Sequence, residues 1–407
     1  MNMLKRLLKY SLGRKVVAAS EAIPPLDIYN TFFNTLNPDH LGYGRDVHSP
    51  KDSTHWSPAY AMIVSAEVVR KNADSGTDGG NDRLKYITDS ARWLLDNIGC
   101  ASTIAPLWTL PYPRKIWEDT EPVKEGTGFC IPSSHAIQAM CEVSQEPNVN
   151  RDLADAAGKA ALNAACYYAK NCFDGTEDGV VFWYSSLMQH SFHVTNATSM
   201  ISGQLQRVAS LNPGQEFLSS QADRAVKQLL MLKFDADGSW GWNYFGNKIP
   251  SNKENRTNDL LHEAFVCNGL LDYKQYDGKY GGKYTYSDLH DTLCRFYRDG
   301  DIYEYSEAEA RPSRRRHLAR SLAMGHALYV ASRLERVLER PKKIELSQLL
   351  YQQFTQKYVD GDKLFYRPDG EDVACRVRVV GHVLLGLAEY HANLNNLRVS
   401  VSSQGNS

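Results

Sequence analysis

The feature that most constrains the fold is a recurrence with a period of about sixty residues. Four segments each combine a turn rich in Asp and Gly with a short aromatic stretch, and they end at Tyr184, Tyr244, Tyr305 and Tyr366. Successive tyrosines are 60, 61 and 61 residues apart. A helical pattern precedes each segment and another follows it. A period of this length accommodates one pair of antiparallel helices and a long connection.

Looser counterparts extend the pattern toward the N-terminus. The stretches 42–60 and 107–119 also place aromatic residues before a helical pattern, and the segment 26–36 can pair with the last predicted helix, 376–394. About six helical hairpins result, and six hairpins that close on themselves form an (α/α)6 toroid. We therefore predict an all-α, six-hairpin barrel whose long connections, with their short extended aromatic pieces, converge at one mouth.

The predicted toroid occupies residues 21–395 as a single domain. Residues 1–20 place leucines on one helical face among lysines and arginines, which predicts a basic amphipathic leader helix. This helix either docks on the toroid or contacts a membrane surface peripherally. The polar residues 396–407 are predicted to be a disordered tail.

Composition excludes several classes of function. Lysine and arginine total 46 against 47 aspartates and glutamates, so a net charge of -1 offers no global field for nucleic acid. No apolar run is long enough for a transmembrane helix. Eight cysteines without metal-ligand spacing are typical of a reducing compartment. These features predict a cytoplasmic protein, possible contact with the inner membrane, and no cofactor.

The aromatic stretches offer flat apolar faces with polar rims, which suit stacking on sugar rings. The candidates for a sugar platform are Trp240, Trp242, Tyr244, Tyr184 and Tyr305. About half of the aromatic residues in these connections are expected to fill the barrel core instead, because aromatic side chains dominate core energetics wherever they are buried.

Polar residues open the helix that follows each aromatic stretch. Asn196, His317, Arg320 and Arg376 are candidates for substrate binding. The arginines are the sharper clue, because the guanidinium fork pairs with carboxylate or phosphate in bidentate fashion. Together with the aromatic rings, they favour an acidic sugar as the ligand.

The densest set of titratable groups follows the second aromatic stretch. Asp259, His262 and Glu263 stand at i, i+3 and i+4, and a carboxylate beside a histidine can act as a general acid/base pair near neutral pH. His193 and Tyr244 are further catalytic candidates. The alternative is a helix cap at Asn258 or Asp259, with His262 buried in the wall of the barrel. A second histidine four residues on is missing, so no metal site is predicted here.

These residues carry a resemblance. The run DGSWGWNYFGN, followed by NDLLHEAFVCNGLLDY and preceded by HVTNATSM, resembles toroid proteins encoded with bacterial exopolysaccharide and lipopolysaccharide synthesis genes. The resemblance covers about 180–275, and Leu260-Leu261 and Glu263-Ala264 depart from the family pattern. The matching residues are Asp237, Gly238, Trp240, Tyr244, Asp259, His262 and Asn196.

The resemblance implies a carbohydrate context. The same toroid is similar to six-hairpin glycosidases, polysaccharide lyases and the helical domain of glucuronyl epimerases. We expect a protein that acts on a uronate-containing glycan during cell-surface polysaccharide assembly, and a lyase or epimerase that abstracts a proton is favoured. His262 is then the acid/base, Asp259 orients it, and Asn196 and Arg320 bind the substrate carboxylate.

Two alternatives stay open. A glycoside hydrolase would use two carboxylates across the cleft, with candidates among Asp259, Glu263, Glu304, Glu307, Glu118 and Asp119. A protein without catalysis would bind a glycan or a partner in polysaccharide synthesis, and would keep the aromatic and arginine residues without needing His262 to titrate. The fold does not decide between these functions.

Overall fold

The fold was analysed in a computed structural model of the chain. The structure describes residues 23–47, 49–74, 80–99, 105–111, 123, 127–175, 179–236, 238–250, 253–309, 311–338, 345–368 and 370–404. The predicted leader helix, residues 1–20, lies outside the described residues.

Twelve α-helices lie in the described part of the chain: α1 Pro25–Phe33, α2 Ser57–Ala73, α3 Gly80–Asp96, α4 Cys130–Gln145, α5 Arg151–Asn171, α6 Thr195–Leu211, α7 Glu216–Leu232, α8 Leu260–Gln275, α9 Tyr286–Cys294, α10 Ser321–Val337, α11 Leu346–Tyr358 and α12 Val377–Gln404. None of these helices is both long and apolar enough to cross a bilayer.

The even-numbered helices form a closed inner ring. α2 packs on α4, α4 on α6, α6 on α8, α8 on α10, α10 on α12, and α12 returns to α2. The odd-numbered helices lie outside this ring: α3 packs on α2, α5 on α4, α7 on α6, α9 between α8 and α10, α11 on α10, and α1 on α12. The first helix thus completes the last hairpin. The predicted (α/α)6 toroid is confirmed.

Burial separates the two layers as their sequences predict. Every residue from Thr195 to Val208 in α6 and from Ser321 to Glu335 in α10 is buried, because the inner helices have neighbours on all sides. The outer helix α7 buries only a stripe that includes Leu218, Ala222 and Leu229. An amphipathic helix covers the ring with its apolar face and keeps its charged face in water.

Glycines let neighbouring inner helices approach closely. A Cβ atom on Gly203 of α6 would lie 2.6 Å from the carbonyl oxygen of Gly269 in α8. A Cβ atom on Gly386 of α12 would lie 2.2 Å from the carbonyl oxygen of Gly325 in α10. Side chains essentially never sit this close to a backbone oxygen, so the spacing of both helix pairs depends on glycine.

The predicted extended pieces are small antiparallel hairpins that follow the outer helices. Each hairpin pairs two successive strands. The strands are β1 Tyr43–Asp46, β2 Ser49–His55, β3 Phe173–Gly175, β4 Val180–Phe182, β5 Phe234–Ala236, β6 Ser239–Gly241, β7 Tyr297–Arg298, β8 Asp301–Ile302, β9 Val359–Asp360 and β10 Lys363–Leu364. Gly300 and Gly361 have φ values of 89° and 60° in their turns, a conformation that glycine adopts without strain.

The aromatic segments also complete the inner helices. The first residue of an inner helix donates its backbone N–H to a carbonyl in the next aromatic segment: Cys130 to Tyr184 (3.0 Å), Thr195 to Tyr244 (3.1 Å), Leu260 to Glu304 (2.8 Å) and Ser321 to Tyr366 (2.9 Å). These bonds satisfy N–H groups that the helices leave unpaired. They also place the hairpin loops beside the N-terminal ends of these inner helices. We call this end of the toroid the mouth.

The C-terminal halves of four inner helices are joined by a buried polar plug, defined by Glu142, Arg207, Asp272 and Arg333. Arg207 lies 3.2 Å from Glu142 and 3.0 Å from Asp272, and Arg333 lies 2.6 Å from the same Asp272 oxygen. Burial alone would raise the pKa of Asp272, but the two guanidinium groups hold it below its ordinary value. The plug ties α4, α6, α8 and α10 together through ion pairs.

The C-terminus differs from the prediction. The last helix continues to Gln404, through most of the segment 396–407 that the sequence predicted to be disordered. A helix anchored by a packed first half extends through polar residues at little cost, because only nucleation is expensive.

Candidate functional site

Asp259 and His262 form a hydrogen-bonded pair at the mouth. Asp259 is the N-cap of α8, and its Oδ1 accepts the backbone N–H of His262 at 3.0 Å. The same oxygen lies 2.6 Å from Nδ1 of the His262 ring. The sequence alone presents a helix cap and an orienting carboxylate as alternatives. In the structure, the Asp259 carboxylate serves as both.

The environment of Asp259 fixes the tautomer of His262. Burial alone would raise the pKa of Asp259, but His262 and the Arg320 guanidinium hold it well below its ordinary value. An ionised carboxylate can only accept hydrogen bonds, so Nδ1 carries the ring hydrogen and Nε2 holds the lone pair in the neutral ring. The His262 side chain is 22% exposed, so the ring is accessible from outside. This geometry suits a general base.

Arg320 and Glu304 support Asp259 from behind. Arg320 is the residue before α10, and its Nε donates to Glu304 Oε1 at 2.6 Å while its backbone N–H donates to Glu304 Oε2 at 2.8 Å. Its Nη2 donates to Asp259 Oδ2 at 3.0 Å. Two carboxylates of the protein therefore pair with Arg320, and its contact with Asp259 holds that carboxylate in place. Binding of a substrate carboxylate by Arg320 stays a prediction.

Two tyrosines flank the pair. The ring of Tyr244 meets the His262 ring edge to face, with centroids 4.9 Å apart. Tyr305 follows Glu304, and its pKa is raised by burial and by the carboxylates of Asp259 and Glu304. Tyr305 therefore keeps its phenolic proton and lies within electrostatic reach of the pair. Of the predicted candidates, the structure brings Tyr244, Asp259, His262, Tyr305 and Arg320 together.

Three arginines, which we call the rim arginines, surround this group. Arg256 lies 5.0 Å from the Tyr244 ring centroid, and Arg314 lies 5.5 Å from that of Tyr305. Arg367 lies 3.9 Å from Glu304, with 37% of its side chain exposed. Arg314 Nη1 is buried without a hydrogen-bond partner among the described residues. With Arg320, the site has four guanidinium groups against the two carboxylates of Asp259 and Glu304.

A cluster of buried rings lies deeper, where the inner helices converge. His135 from α4, His326 from α10 and His382 from α12 surround Phe265 of α8, with centroid distances to it of 5.8, 4.5 and 6.0 Å. The Phe265 ring is in turn 6.4 Å from that of His262. We call His135, His326 and His382 the axial histidines. They connect the mouth to the interior of the barrel.

The axial histidines are neutral and incompletely hydrogen bonded. Burial lowers the pKa of His135 to about 4 and lowers those of His326 and His382 well below the ordinary value, and the other axial rings lower these two further. Among the described residues, four of their ring nitrogens have no partner: His135 Nε2, both nitrogens of His326, and His382 Nδ1. Buried polar atoms normally find protein or water partners, so these nitrogens suit water or a bound polar molecule.

The sequence places His135 among the polar residues that open an inner helix, but it does not select His326 and His382, although a signal exists for both. His326 and His382 each follow a glycine, in the runs GHALYV and GHVLLG, at the same depth of two inner helices. A repeated polar residue inside an otherwise apolar inner helix indicates a side chain that faces the barrel axis.

Two tryptophans of the predicted sugar platform pack elsewhere in the structure. Trp242 is fully buried and donates its indole N–H to the Leu229 carbonyl at 2.8 Å, so it is part of the core between layers. Trp240 is half-buried, and its neighbours are Trp242, Tyr284 and the Lys233 ammonium, 4.0 Å from the ring. None of these neighbours belongs to the Asp259 group. Neither indole is placed to stack on a sugar at this site.

Glu263 and Arg376 are also structural. Glu263 is fully buried, pairs with Arg295 of the outer layer and accepts from Asn258 at 2.9 Å. Burial raises its pKa to about 7 against the effect of Arg295. Arg376 is buried and donates to the Asp46 carbonyl at 2.8 Å, which ties β1 to the start of α12. A buried ion pair and a backbone anchor cannot meet a substrate in this conformation.

The remaining candidates make other contacts. His193 is buried with Nε2 3.5 Å from Asp174, beside the β3–β4 hairpin, and burial lowers its pKa. Asn196 is buried in the first turn of α6, and its Nδ2 has no partner among the described residues. The Tyr184 ring packs against that of Phe129, with centroids 6.1 Å apart. His317 is exposed, and its carbonyl accepts from the Glu304 backbone.

The donor set at the mouth does not favour a metal ion. Both carboxylates of the group, Asp259 and Glu304, are engaged by Arg320. A cation would have to displace this guanidinium before it could bind them.

Comparisons with known proteins identify the fold. No family model matches the chain, and no curated protein matches its sequence. A cellobiose 2-epimerase from Spirochaeta thermophila is similar in structure, with a TM-score of 0.62 and 12% identity over 98% of this chain and 100% of the other.

Glycoside hydrolases share the architecture too. A family 76 glycoside hydrolase from a bovine Bacteroides thetaiotaomicron strain has a TM-score of 0.60 and 11% identity over 92% of this chain and 78% of its own. A family 88 glycosyl hydrolase from Bacteroides vulgatus has a TM-score of 0.57 and 11% identity over 91% of this chain and 98% of its own. At such identities the likeness concerns the fold alone.

Proposed function

We propose that this protein is a carbohydrate-active enzyme that moves a proton on a uronate-containing sugar, as an epimerase or a lyase does. The observation that carries the proposal is the Asp259–His262 pair, in which an ionised carboxylate holds a partly exposed imidazole with its basic nitrogen free of Asp259. Structural neighbours named as an epimerase and glycoside hydrolases support a sugar as the substrate.

The chemistry follows from the groups at the mouth. His262 Nε2 would take the proton from the carbon next to the uronate carboxylate, and Asp259 would stabilise the resulting imidazolium. The rim arginines would neutralise the carboxylate as negative charge develops on it. Tyr305, which keeps its proton, can donate a hydrogen bond or a proton. Return of a proton to the other face gives an epimer, whereas loss of the neighbouring oxygen substituent gives an unsaturated product.

Charge favours an acidic ligand. The four guanidinium groups of this site outnumber its two carboxylates, and Arg320 alone is shared by both of them. The rim arginines therefore retain positive charge that an anionic sugar can match. Together with the resemblance to polysaccharide biosynthesis proteins, this supports a role in cell-surface polysaccharide assembly.

Hydrolysis is less well supported at this site. A glycoside hydrolase needs one protonated carboxyl and one free carboxylate facing the sugar. Asp259 and Glu304 are buried and both bind Arg320, and Glu263 is paired away from the mouth. Glu118 and Asp119 lie outside the described residues.

A panel of oligosaccharides with and without uronate, incubated in deuterated water, tests the proposal. Ultraviolet absorbance reports an unsaturated product, deuterium incorporation at carbon reports epimerisation, and a mass increase by water with cleavage reports hydrolysis. We expect one of the first two signals with uronates, and a decrease of 10²-fold or more in His262→Ala. His40→Ala, which removes an exposed histidine whose ring contacts His55, is the matched control.

Either of two results would overturn the proposal. Cleavage without deuterium or unsaturation would establish a hydrolase. Calorimetric binding with no turnover, retained in His262→Ala, would establish a protein that only binds glycans.

The rim arginines give a separate test of substrate class. Arg314→Ala with Arg367→Ala should weaken uronate binding by 10-fold or more and leave neutral sugars unaffected, because only the uronate offers a carboxylate. Arg151→Ala, at a guanidinium that is 93% exposed on an outer helix, serves as the control. Equal losses for both sugar classes would argue against an acidic substrate.

A further inference from the structure

A group of potential metal ligands lies on the outer helix α9, apart from the mouth. His290, Asp291 and Cys294 each offer one ligand atom, and these atoms all lie within 4.8 Å of one another. His290 and Cys294 are buried one helical turn apart, whereas the Asp291 side chain is 54% exposed. An ion can therefore reach the group through Asp291 while two of its ligands are shielded from water.

The distances match those of a tetrahedral site. Cys294 Sγ lies 3.5 Å from His290 Nδ1, and a zinc ion bound to both at ordinary lengths would hold them about 3.6 Å apart. Asp291 Oδ1 lies 3.9 Å from the same nitrogen, against about 3.4 Å expected for a shared ion. A shift of the exposed aspartate by about half an ångström completes three ligands.

The other ring nitrogen of His290 faces a carboxylate. His290 Nε2 is buried without a hydrogen-bond partner in the described residues, and it lies 3.5 Å from Oε1 of Glu335 in α10. That oxygen accepts the backbone N–H of Ser347 in α11 at 2.9 Å, which fixes the carboxylate. Histidines that bind metals usually donate their other N–H to such a carboxylate, which orients the ring and raises its basicity.

We propose that His290, Asp291 and Cys294 bind one divalent ion of the zinc class, with Glu335 as the outer partner of the histidine. Thiolate and imidazole ligands select Zn²⁺ over the oxygen-seeking Mg²⁺ and Ca²⁺. Three protein ligands leave the fourth position to water or to another donor.

The ion would link three helices of the outer and inner layers. α9 has only nine residues, too few for a helix to be stable by itself in water. Its ligands engage the ion directly, while Glu335 and Ser347 connect the site to α10 and α11. Binding should therefore stabilise the folded chain, because an ion that binds the native state preferentially shifts the equilibrium toward it.

Cobalt(II) provides the test on the full chain, reduced and treated with a chelator. We expect one Co²⁺ per chain, a thiolate-to-cobalt charge-transfer band, visible bands of a four-coordinate site, and loss of all these bands when Zn²⁺ is added. The charge-transfer band should disappear in Cys294→Ser. Cys375→Ser, which removes an exposed cysteine outside α9, should leave the spectrum unchanged.

Two further variants distinguish loss of the metal site from misfolding. Asp291→Asn alters an exposed side chain and should weaken Co²⁺ binding by 10-fold or more, and Glu335→Gln should weaken it 10- to 100-fold. Absence of the charge-transfer band in the parent protein, its survival in Cys294→Ser, or parental affinity in Asp291→Asn would overturn the proposal. In those cases Cys294 and His290 form only a thiol–imidazole contact.

Discussion

At the scale of single residues, Asp259 shows how several requirements meet in one side chain. It caps α8, holds Nδ1 of His262 and pairs with Arg320. The cap requires an oxygen acceptor, whereas the other two contacts require negative charge. These requirements can be separated by substitution.

Asp259→Asn should separate the cap from the charge. Asparagine keeps the cap but removes the negative partner of Arg320, so we expect a loss of about 2 kcal/mol in the free energy of unfolding. The neutral amide no longer stabilises an imidazolium, so turnover of a uronate substrate should fall by about 10²-fold or more. Asp259→Ala also loses the cap and should cost about 1 kcal/mol more in the free energy of unfolding. Parental turnover in Asp259→Asn would contradict a catalytic role for the pair.

The sequence could predict this pair but not the orientation of its neighbours. Asp259 and His262 are three residues apart, and a cap and the third helical residue always lie close together. Glu263 follows directly, yet its carboxylate faces Arg295 in the outer layer. Spacing along a helix gives relative directions only, and the direction toward the barrel axis depends on the packing of distant helices.

At the scale of elements, the inner helices are set by backbone contact. Gly203 and Gly269 let α6 and α8 touch without intervening side chains, and Gly325 and Gly386 do the same for α10 and α12. Such interfaces tolerate no added volume, because protein interiors are close-packed.

Gly269→Ala should therefore be strongly destabilising. Its methyl group would lie 2.1 Å from the Ser199 carbonyl oxygen, so α6 and α8 must move apart. We expect a loss of about 2 kcal/mol or more in the free energy of unfolding by urea denaturation. Gly282→Ala, whose methyl group would have no neighbour within 4 Å, should lie within about 0.5 kcal/mol of the parent. Similar stabilities for both variants would contradict this account of the α6–α8 contact.

Helix identity could be predicted from periodicity, but several starting points could not. The hydrophobic period of the sequence predicts helices that begin at 192, 258 and 316, whereas α6, α8 and α10 begin at 195, 260 and 321. The residues before them form bridges to neighbouring loops, such as Val194 with Phe245 and Tyr303 with Leu318. The first contact joins segments of successive repeats and the second closes a loop within one repeat, and no local pattern records either of them.

At the scale of the whole molecule, the period of the sequence also organises the interior. The polar plug links residues separated by 65, 65 and 61 positions, from Glu142 through Arg207 and Asp272 to Arg333. The repeat that predicted six hairpins therefore also sets the spacing of the charged residues that form the plug. The axial histidines keep the same register, because each is the sixth residue of its inner helix.

The axial histidines predict sensitivity to acid. Because burial lowers the pKa of His382, the unfolded chain binds its proton first as the pH falls below about 6.5, and stability decreases. Between pH 7.5 and 5.5 this histidine should cost about 1 kcal/mol in the free energy of unfolding. His382→Gln should remove that part of the difference, measured by urea unfolding at both pH values. An unchanged difference would show that His382 is protonated in the folded protein.

The parallel arrangement of the inner helices has an electrostatic consequence. Peptide dipoles add along each helix and leave partial positive charge at its N-terminal end. Several of these ends point at the mouth, where their first N–H groups meet the aromatic segments. The backbone itself therefore contributes an attractive potential for anions, independent of any arginine, and association of a polyanionic glycan should slow as ionic strength rises.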